Sequence, residues 1–363
     1  MIQVFLKFVT VFLLVSFALL ADEQKELTIS DAQKQRIETF LQDLTANGFA
    51  GSVAVGNEKE LLFDGVYGET YNSPRKPIDE NTLFWTASVA KSITAIAILR
   101  LVETEKLWLD DPLSRFFPSI PAEMMDITIA HLLTHTSGFP PNSYTPEESA
   151  DFDEAIKNIL NADLVSVPGT DFNYSNDGYF LLAHIVDMVA GASFENYVQE
   201  QIFEPAAMNQ TQFWQNLDLG QDTRFAGFLG GISPLFLEKR WALRGYNGIS
   251  TNGPDLYRLV KALKQGKILI PDSLVMLWDS HLELSTLNVG YGWFLSKPGD
   301  SPLEITARGS DDFGGNAIVS YFPDHDLIIS VTTNAGPIEY DSSSELYRWV
   351  IKEKVREIIL GVE

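Results

Sequence analysis

Apolar residues run almost all the way round one segment of the chain, residues 84–107. Its apolar positions include Ile93, Ala95, Ile96, Ala97, Ile98, Leu99, Leu101 and Val102. A helix without a polar face is normally buried at the centre of a domain, so the pattern predicts a buried helix here. Ser88 and Lys91 stand at its start, and residues three apart on a helix project from the same face.

Other segments show the periodicity of amphipathic helices or of strands. An apolar face predicts helices at residues 30–46, 255–265 and 342–359, the first of them capped by Ser30 or Asp31. Apolar or alternating runs predict strands at residues 49–55, 61–67, 291–295, 303–308, 316–322 and 327–333. The first two of these strands form a hairpin, and residues 110–209 are mainly helical with proline-rich connections.

The order of these elements predicts an α+β fold. Residues 30–109 and 245–363 would together form one antiparallel sheet flanked by helices, and residues 110–244 a mainly helical insertion. A functional site is expected at the interface of the two parts, where clefts are common.

Composition narrows the class of protein. The chain has 363 residues, of which 45% are hydrophobic, so it can bury a sizeable core. The absence of cysteine excludes disulfides, thiolate metal sites and thiol nucleophiles. A net charge of −23 would repel nucleic acid and anionic lipid, so neither is expected as a partner of the mature protein.

The N-terminus has the layout of a signal peptide. Lys7 precedes an apolar run over residues 8–20, and Ala21 is followed by polar residues. Because the run is shorter than a typical membrane span, we predict a signal peptide at residues 1–21 and a mature domain at residues 22–363. This predicts a periplasmic or secreted protein, with an uncleaved membrane anchor as the alternative.

Ser88 and Lys91 together have the chemistry of a nucleophile and its base. Burial disfavours the ammonium form of a lysine and lowers its pKa, and a neutral amine can accept the serine proton. Ser88 also lies near the positive end of the helix dipole, where backbone N–H groups can hold an oxyanion. The structural alternative is that Lys91 extends out of a core helix to reach solvent.

Further motifs follow Ser88-Val89-Ala90-Lys91 in a fixed order: HLLTHTSG at residues 131–138, Tyr174-Ser175-Asn176, and a glycine-containing segment around Arg308. With this set the chain resembles the serine β-lactamase and penicillin-binding-protein superfamily, in its class C-like branch of esterases and D-amino acid peptidases. The resemblance covers residues 35–360 and implies a β-lactamase/transpeptidase-like fold with a five-stranded antiparallel sheet.

The resemblance also implies roles for individual residues. Ser88 would be the nucleophile and Lys91 its proton acceptor, while Tyr174 would relay a proton to the leaving group and help to activate the hydrolytic water. Asn176 would hold a carbonyl or amide of the substrate. No cofactor is implied.

The third family motif, Lys-Thr-Gly or His-x-Gly, is altered here. If Arg308 takes the cation's place, Ser310 replaces the glycine; if Gly309 is the glycine, Ala307 takes the cation's place. The oxyanion-hole N–H following the motif would come from Asp311 in the first alignment and from Ser310 in the second. Arg308 could bind an acidic substrate group but cannot relay protons, and its structural alternative is an ion pair with Asp311 or Asp312.

Other chemistries lack support in the sequence. His131 and His135 have metal-ligand spacing, but no glutamate stands at position 132 and no third ligand is evident, so we expect them to pack or cap and predict no metal site. The chain has neither a Gly-x-Ser-x-Gly element nor a phosphate-binding loop.

The sequence therefore predicts an exported serine hydrolase that forms an acyl-enzyme on Ser88 and acts on a small ester, amide or peptide. A D,D-peptidase, a D-aminopeptidase or a β-lactamase is the alternative among enzymes. A non-catalytic descendant that binds wall peptides or a protein partner is the alternative from another class, and the altered segment at Arg308, Gly309 and Ser310 motivates it.

Overall fold

The structure is a computed structural model that describes residues 26–71, 73–143, 151–217, 224–227, 240–296, 302–311, 314–335, 337–340 and 343–362. The predicted signal peptide lies outside these residues. The helices are α1 (Asp31–Ala46), α2 (Ala90–Glu103), α3 (Ile129–Leu133), α4 (Phe152–Ile159), α5 (Asn176–Ala190), α6 (Phe194–Val198), α7 (Gly253–Lys264), α8 (Pro271–Trp278) and α9 (Tyr347–Leu360). None of the helices in these ranges is both long and apolar enough to cross a membrane.

The strands are β1 (Gly51–Gly56), β2 (Leu61–Tyr67), β3 (Phe84–Trp85), β4 (Gln212–Phe213), β5 (Ile249–Thr251), β6 (Leu282–Glu283), β7 (Asn288–Val289), β8 (Phe294–Ser296), β9 (Glu304–Ser310), β10 (Asn316–Phe322), β11 (Leu327–Thr333), β12 (Pro337–Tyr340) and β13 (Ser343–Leu346). Strands β12 and β13 pair with each other, and β3, β5 and β4 form a small three-stranded sheet.

The main sheet is antiparallel and has eight strands in the order β2-β1-β11-β10-β9-β8-β7-β6. The antiparallel sheet of an α+β fold is confirmed, with β2, β1, β11, β10 and β9 as its five longest strands, but the sheet has three more strands than the five predicted. The three further strands at the β9 edge are only two or three residues long. Segments this short show no readable alternation of apolar and polar residues. Of the three, the sequence pattern therefore predicts only part of β8, which overlaps the predicted strand at residues 291–295.

Both faces of the central strands are buried. Along β10, Ile318 packs in a cluster with α1 and α9, whereas its neighbours Ala317 and Val319 pack in a cluster with α2 and α7. Successive side chains of a strand point to opposite faces, so both faces are apolar and β10 and β11 are buried along their whole length. The sheet is therefore a middle layer between two helical layers.

The bounds of the first and last helices can be compared with the predicted ones. Helix α1 covers the predicted range and begins with a capping box in which Ser30 and Gln33 satisfy each other's backbone N–H groups. The predicted start of the C-terminal helix at residue 342 is wrong, because Ser343–Leu346 forms strand β13 and α9 begins at Tyr347. Pairing with β12 is a tertiary constraint that residue periodicity does not reveal.

Candidate active site

The turn that carries Ser88 is hydrogen-bonded, through the preceding residue, to the small three-stranded sheet. Ser88 lies in a single 3-10 turn, Ala87–Val89, directly before α2. Thr86 donates its N–H and its hydroxyl to the Ile249 carbonyl of β5, at 3.1 and 2.9 Å. Ala87 adopts a left-handed backbone with a φ of +47°, which a residue other than glycine rarely does and which often marks a functional site. This turn places Ser88 at the edge of the buried helix.

Lys91 points inward to Ser88 and does not extend to solvent. Its ammonium donates to Ser88 Oγ at 3.0 Å and to the Tyr246 carbonyl at 3.2 Å, and the side chain is buried. Burial lowers the pKa of Lys91, and the phenol of Tyr174 only partly opposes that shift. The structural alternative, in which Lys91 reaches the surface, is therefore not what the structure shows.

Three tyrosine rings surround the Lys91 ammonium. Its nitrogen lies 4.8 Å from the ring centre of Tyr174, 5.2 Å from that of Tyr246 and 5.8 Å from that of Tyr179. Aromatic faces attract a cation, so they hold the ammonium in place without supplying a negative charge. The structure thus brings the predicted residues Ser88, Lys91 and Tyr174 together.

The backbone of Gly309 lies against the Ser88 turn. A Cβ atom at this position would collide with Thr86 O and Ser88 N and would come within 2.8 Å of Val89 N. Only glycine fits so close an approach. Ala307, two residues earlier on β9, is buried on the same face in the cluster that contains α2.

This geometry favours the second alignment of the third motif. Gly309 stands as the motif glycine, and Ala307 occupies the place of the family's cation. The Asp311 N–H, which the first alignment requires for an oxyanion, donates instead to the Gly315 carbonyl at 3.0 Å. Ser310 thus supplies the N–H that follows the motif.

Arg308 projects from the opposite face of β9, in register with Ile318. Its guanidinium lies 4.7 Å from the Phe294 ring centre and 5.1 Å from that of Trp349. Burial lowers the pKa of Arg308, while Glu304 and Tyr174 oppose that shift. Arg308 makes no ion pair with any residue that the structure describes, Asp311 included, and Asp312 lies outside the described residues.

Arg348, the second residue of α9, is a further site residue that the sequence analysis missed. It is buried and donates to the Gly309 carbonyl and to Asn316 Oδ1. Burial and the neighbouring Arg308 lower the pKa of Arg348 to about 10. Nothing in the sequence distinguishes Arg348 from the other basic residues of this amphipathic helix. Only the packing of α9 on the sheet brings Arg348 to the site.

A cleft of about 350 Å³ opens beside Ser88. Its lining combines polar residues of the motifs with apolar residues that the sequence analysis did not single out: Ser88, Phe172, Tyr174, Leu284, Leu287, Phe294, Arg308, Gly309, Ser310 and Arg348. A larger cavity of about 640 Å³ near α5 and α6 contains none of the motif residues. Its Arg244 is already bound to Asp187 and Glu195, so the cleft at Ser88 is the better candidate site.

Two predicted site residues are not among those that line this cleft. Lys91 instead lines a smaller adjoining pocket together with Ser88. Asn176 lines neither of the two. It opens α5, donates from its backbone to the Pro141 carbonyl at 2.9 Å and from its side chain to Asn142 Oδ1 at 2.9 Å. Its predicted contact with a substrate carbonyl stays a prediction.

The two histidines of the HLLTHTSG motif serve separate structural purposes. His131 Nδ1 accepts from the Thr128 N–H at 3.3 Å in the cap of α3, and His135 Nδ1 accepts from the Ser175 N–H at 3.0 Å. Within the described part of the chain, no group of three or more acidic or histidine side chains is arranged to hold a metal ion.

Comparisons with known proteins identify the family of this chain. The family described as Beta-lactamase matches residues 34–350. Penicillin-binding protein 4* of Bacillus subtilis (strain 168) is 26% identical over 86% of this chain and 74% of its own length. Esterase EstB of Burkholderia gladioli is 31% identical over 48% of this chain and 50% of its own length.

A solved structure of a class C beta-lactamase shares the fold. It is 20% identical in sequence and has a TM-score of 0.75 over 91% of this chain and 96% of that one. The chain belongs to the beta-lactamase family, and it is a serine hydrolase of the superfamily that includes penicillin-binding proteins and class C beta-lactamases.

Proposed function

We propose that this protein hydrolyses a small ester or amide through an acyl-enzyme on Ser88. The observation that carries the proposal is the 3.0 Å contact between Lys91 Nζ and Ser88 Oγ in a buried site beside an open cleft. Burial lowers the pKa of Lys91, so the neutral amine that can act as a base is more accessible than in water.

The steps follow from the positions of the side chains. Lys91 accepts the Ser88 proton as Ser88 Oγ bonds to the substrate carbonyl carbon, and the N–H groups of Ser88 and Ser310 bind the resulting oxyanion. Tyr174 passes a proton to the leaving group as the carbonyl bond to that group breaks. Water then attacks the acyl carbon and gives one proton to the Tyr174 phenolate. As the bond between the acyl carbon and Ser88 Oγ breaks, Lys91 returns its proton to Ser88 Oγ, and the acid is released.

The cleft favours a substrate with an apolar and an anionic part. Phe172, Leu284 and Leu287 contribute apolar side chains to the lining of the cleft, and Arg308 and Arg348 contribute basic ones. Neither arginine has a carboxylate partner among the described residues. In a chain of net charge −23, two such arginines in one cleft support a substrate that carries a carboxylate.

The test is hydrolysis of a short-chain p-nitrophenyl ester by the mature protein and its variants. We expect Ser88→Ala to reduce turnover by about 10³-fold or more and Lys91→Met by about 10²- to 10⁴-fold. Ser92→Ala, one turn further along α2, is the matched control and should retain activity. Equal turnover by the wild type and Ser88→Ala would refute the proposed nucleophile.

A panel of paired substrates then separates the reaction classes. A hemisuccinate ester and a neutral ester of equal length test the arginines, and D-amino acid amides, D-alanyl peptides and β-lactams test the alternative enzymes. If no activated acyl donor labels Ser88, the protein is a binding descendant of the fold and not a hydrolase of these substrates.

Export of the mature domain is part of the same proposal and rests on the layout of residues 1–21. Expression of the full chain in a bacterium, followed by N-terminal sequencing of the periplasmic and secreted fractions, tests it. A protein that stays in the cytoplasm with Met1 retained would contradict it.

A further inference from the structure

His135 holds Tyr174 from three sides. Its carbonyl accepts from the Asn173 N–H at 2.8 Å, and its Nδ1 accepts from the Ser175 N–H at 3.0 Å. Its ring stacks on the Tyr174 ring, with centres 4.3 Å apart and planes inclined by 28°. His135 therefore contacts the Tyr174 ring and binds the backbone on both sides of Tyr174.

His135 is itself held rigidly. It is buried, and its backbone is left-handed with a φ of +59°, a conformation that only a few per cent of residues other than glycine adopt. The rings of Phe172 and Tyr179 pack around it with centres 5.7 and 5.0 Å away, and the Tyr179 hydroxyl donates to the Leu133 carbonyl at 2.7 Å. His135 therefore has little freedom to move with Tyr174 if Tyr174 is displaced.

The contact at Nδ1 determines the protonation of His135. An Nδ1 that accepts a hydrogen bond carries no proton, so the neutral ring bears its hydrogen on Nε2. Burial and the neighbouring Lys91 hold the pKa of His135 well below its usual range. Neutral His135 neither competes with Lys91 for the Ser88 proton nor adds charge to the site.

We propose that His135 is a positioning residue that fixes the Tyr174 phenol beside Lys91 for proton transfer to the leaving group. The inference rests on the proposed function, in which Tyr174 carries that proton. It assigns a role in the reaction to the second histidine of HLLTHTSG, which the sequence analysis expected only to pack or cap.

The test compares two substitutions that remove different parts of the support. His135→Asn keeps an acceptor for the Ser175 N–H and tolerates a left-handed backbone, but it loses the stacked ring. His135→Phe keeps a ring and loses the acceptor. Because a misplacement of about 1 Å can cost about 10²-fold in rate, we expect kcat to fall about 10- to 100-fold in His135→Phe, less in His135→Asn, with KM nearly unchanged in both.

His131→Asn is the matched control, since it also removes a histidine ring from an Nδ1 contact with a backbone N–H, but away from the cleft. It should leave kcat unchanged. A fall in kcat equal to that of His135→Phe would mean that disturbance of the motif, and not the hold on Tyr174, causes the loss.

The decisive measurement is a double-mutant cycle with Tyr174→Phe. If His135 acts through the Tyr174 hydroxyl, His135→Phe should cause no further loss of kcat once that hydroxyl is gone. The same fold loss in both backgrounds would overturn the inference while leaving Ser88 and Lys91 as the catalytic pair.

A second measurement keeps the inference testable if the wild type hydrolyses none of the substrates, which would count against the proposed function alone. The measurement is the position of the Tyr174 ring in crystal structures, still to be determined, of the wild type, His135→Asn and His135→Phe. We expect the ring to move away from Lys91 in His135→Phe, and a ring that keeps its wild-type position in both variants would refute the inference.

Discussion

Asp177, directly after the Tyr174-Ser175-Asn176 motif, is fully buried in the first turn of α5. Neither of its carboxylate oxygens has a well-formed hydrogen bond among the described residues. Burial raises the pKa of Asp177 to about 6, and the nearby Ser143 offsets this only in part. A buried carboxylate whose desolvation is only partly offset destabilises the fold whenever it is ionised.

We predict that Asp177→Asn increases the free energy of unfolding at neutral pH by about 1 to 3 kcal/mol. The folded-state pKa lies above the unfolded value of 3.8, so the folded protein binds more protons between about pH 4 and pH 6. The wild type therefore loses stability as pH rises through this window, and the gain from Asp177→Asn should vanish below about pH 4. Urea unfolding at both ends of the window measures the difference.

Asp187 on the same helix is the control for this prediction. Burial raises the pKa of Asp187, but hydrogen bonds from His184 and Arg244 outweigh it, so the pKa is lowered overall. Asp187→Asn should therefore reduce stability at neutral pH. An equal effect of the two substitutions would show that burial without partners is not what distinguishes Asp177.

Among secondary structure elements, the approach of β9 to the start of α2 decides the geometry of the site. The carbonyl of Gly309 accepts from Arg348 of α9, while its α-carbon faces the Ser88 turn. Strand β9 is thus hydrogen-bonded to α9 on one side and in close contact with the turn before α2 on the other. The proposed oxyanion site depends on this spacing, because the N–H of Ser88 and that of Ser310 belong to different elements.

We predict that Gly309→Ala lowers kcat by about 10²- to 10³-fold, because the added Cβ separates the two N–H donors. Stability should change less, since the strand retains its pairing with β10. Gly361→Ala is the control, because a Cβ there meets nothing within 4 Å, although the φ of Gly361, unlike that of Gly309, lies in the left-handed region that favours glycine. Comparison of kcat for the ester with thermal unfolding of both variants measures this, and an active Gly309→Ala enzyme would contradict the proposed oxyanion site.

At the scale of the whole molecule, an acidic exterior surrounds a basic cleft. The chain has 49 acidic and 26 basic residues, yet Lys91, Arg308 and Arg348 converge at the site. Like charges over the surface repel one another and weaken the compact state, and dissolved salt screens that repulsion.

We predict that raising NaCl from about 0.05 to about 0.5 M at neutral pH increases the melting temperature by about 2 to 5 °C. Near the isoelectric pH of about 4.5 the same addition should have little effect, because the net repulsion is then absent. Scanning calorimetry at both pH values provides the comparison. A melting temperature that falls with salt at neutral pH would show that attractive surface pairs outweigh the repulsion.

Local patterns in the sequence were sufficient for much of the fold. Strands β10 and β11 and helix α1 have the bounds that the pattern predicts, because each buries side chains with a regular period that a sequence displays directly. The pair of Ser88 and Lys91 is similarly readable, since a spacing of three across a 3-10 turn that continues directly into α2 places both side chains on one side.

Contacts between distant segments decided the rest. The alignment of the third motif was open in the sequence, and it is the collision of any Cβ at Gly309 with the Ser88 turn that favours one reading. Arg348 and the stacked pair of His135 and Tyr174 reach the site through the packing of separate helices and loops. Periodicity reports which side of an element is buried, but not which other element covers it, and so the supports of the site became visible only in three dimensions.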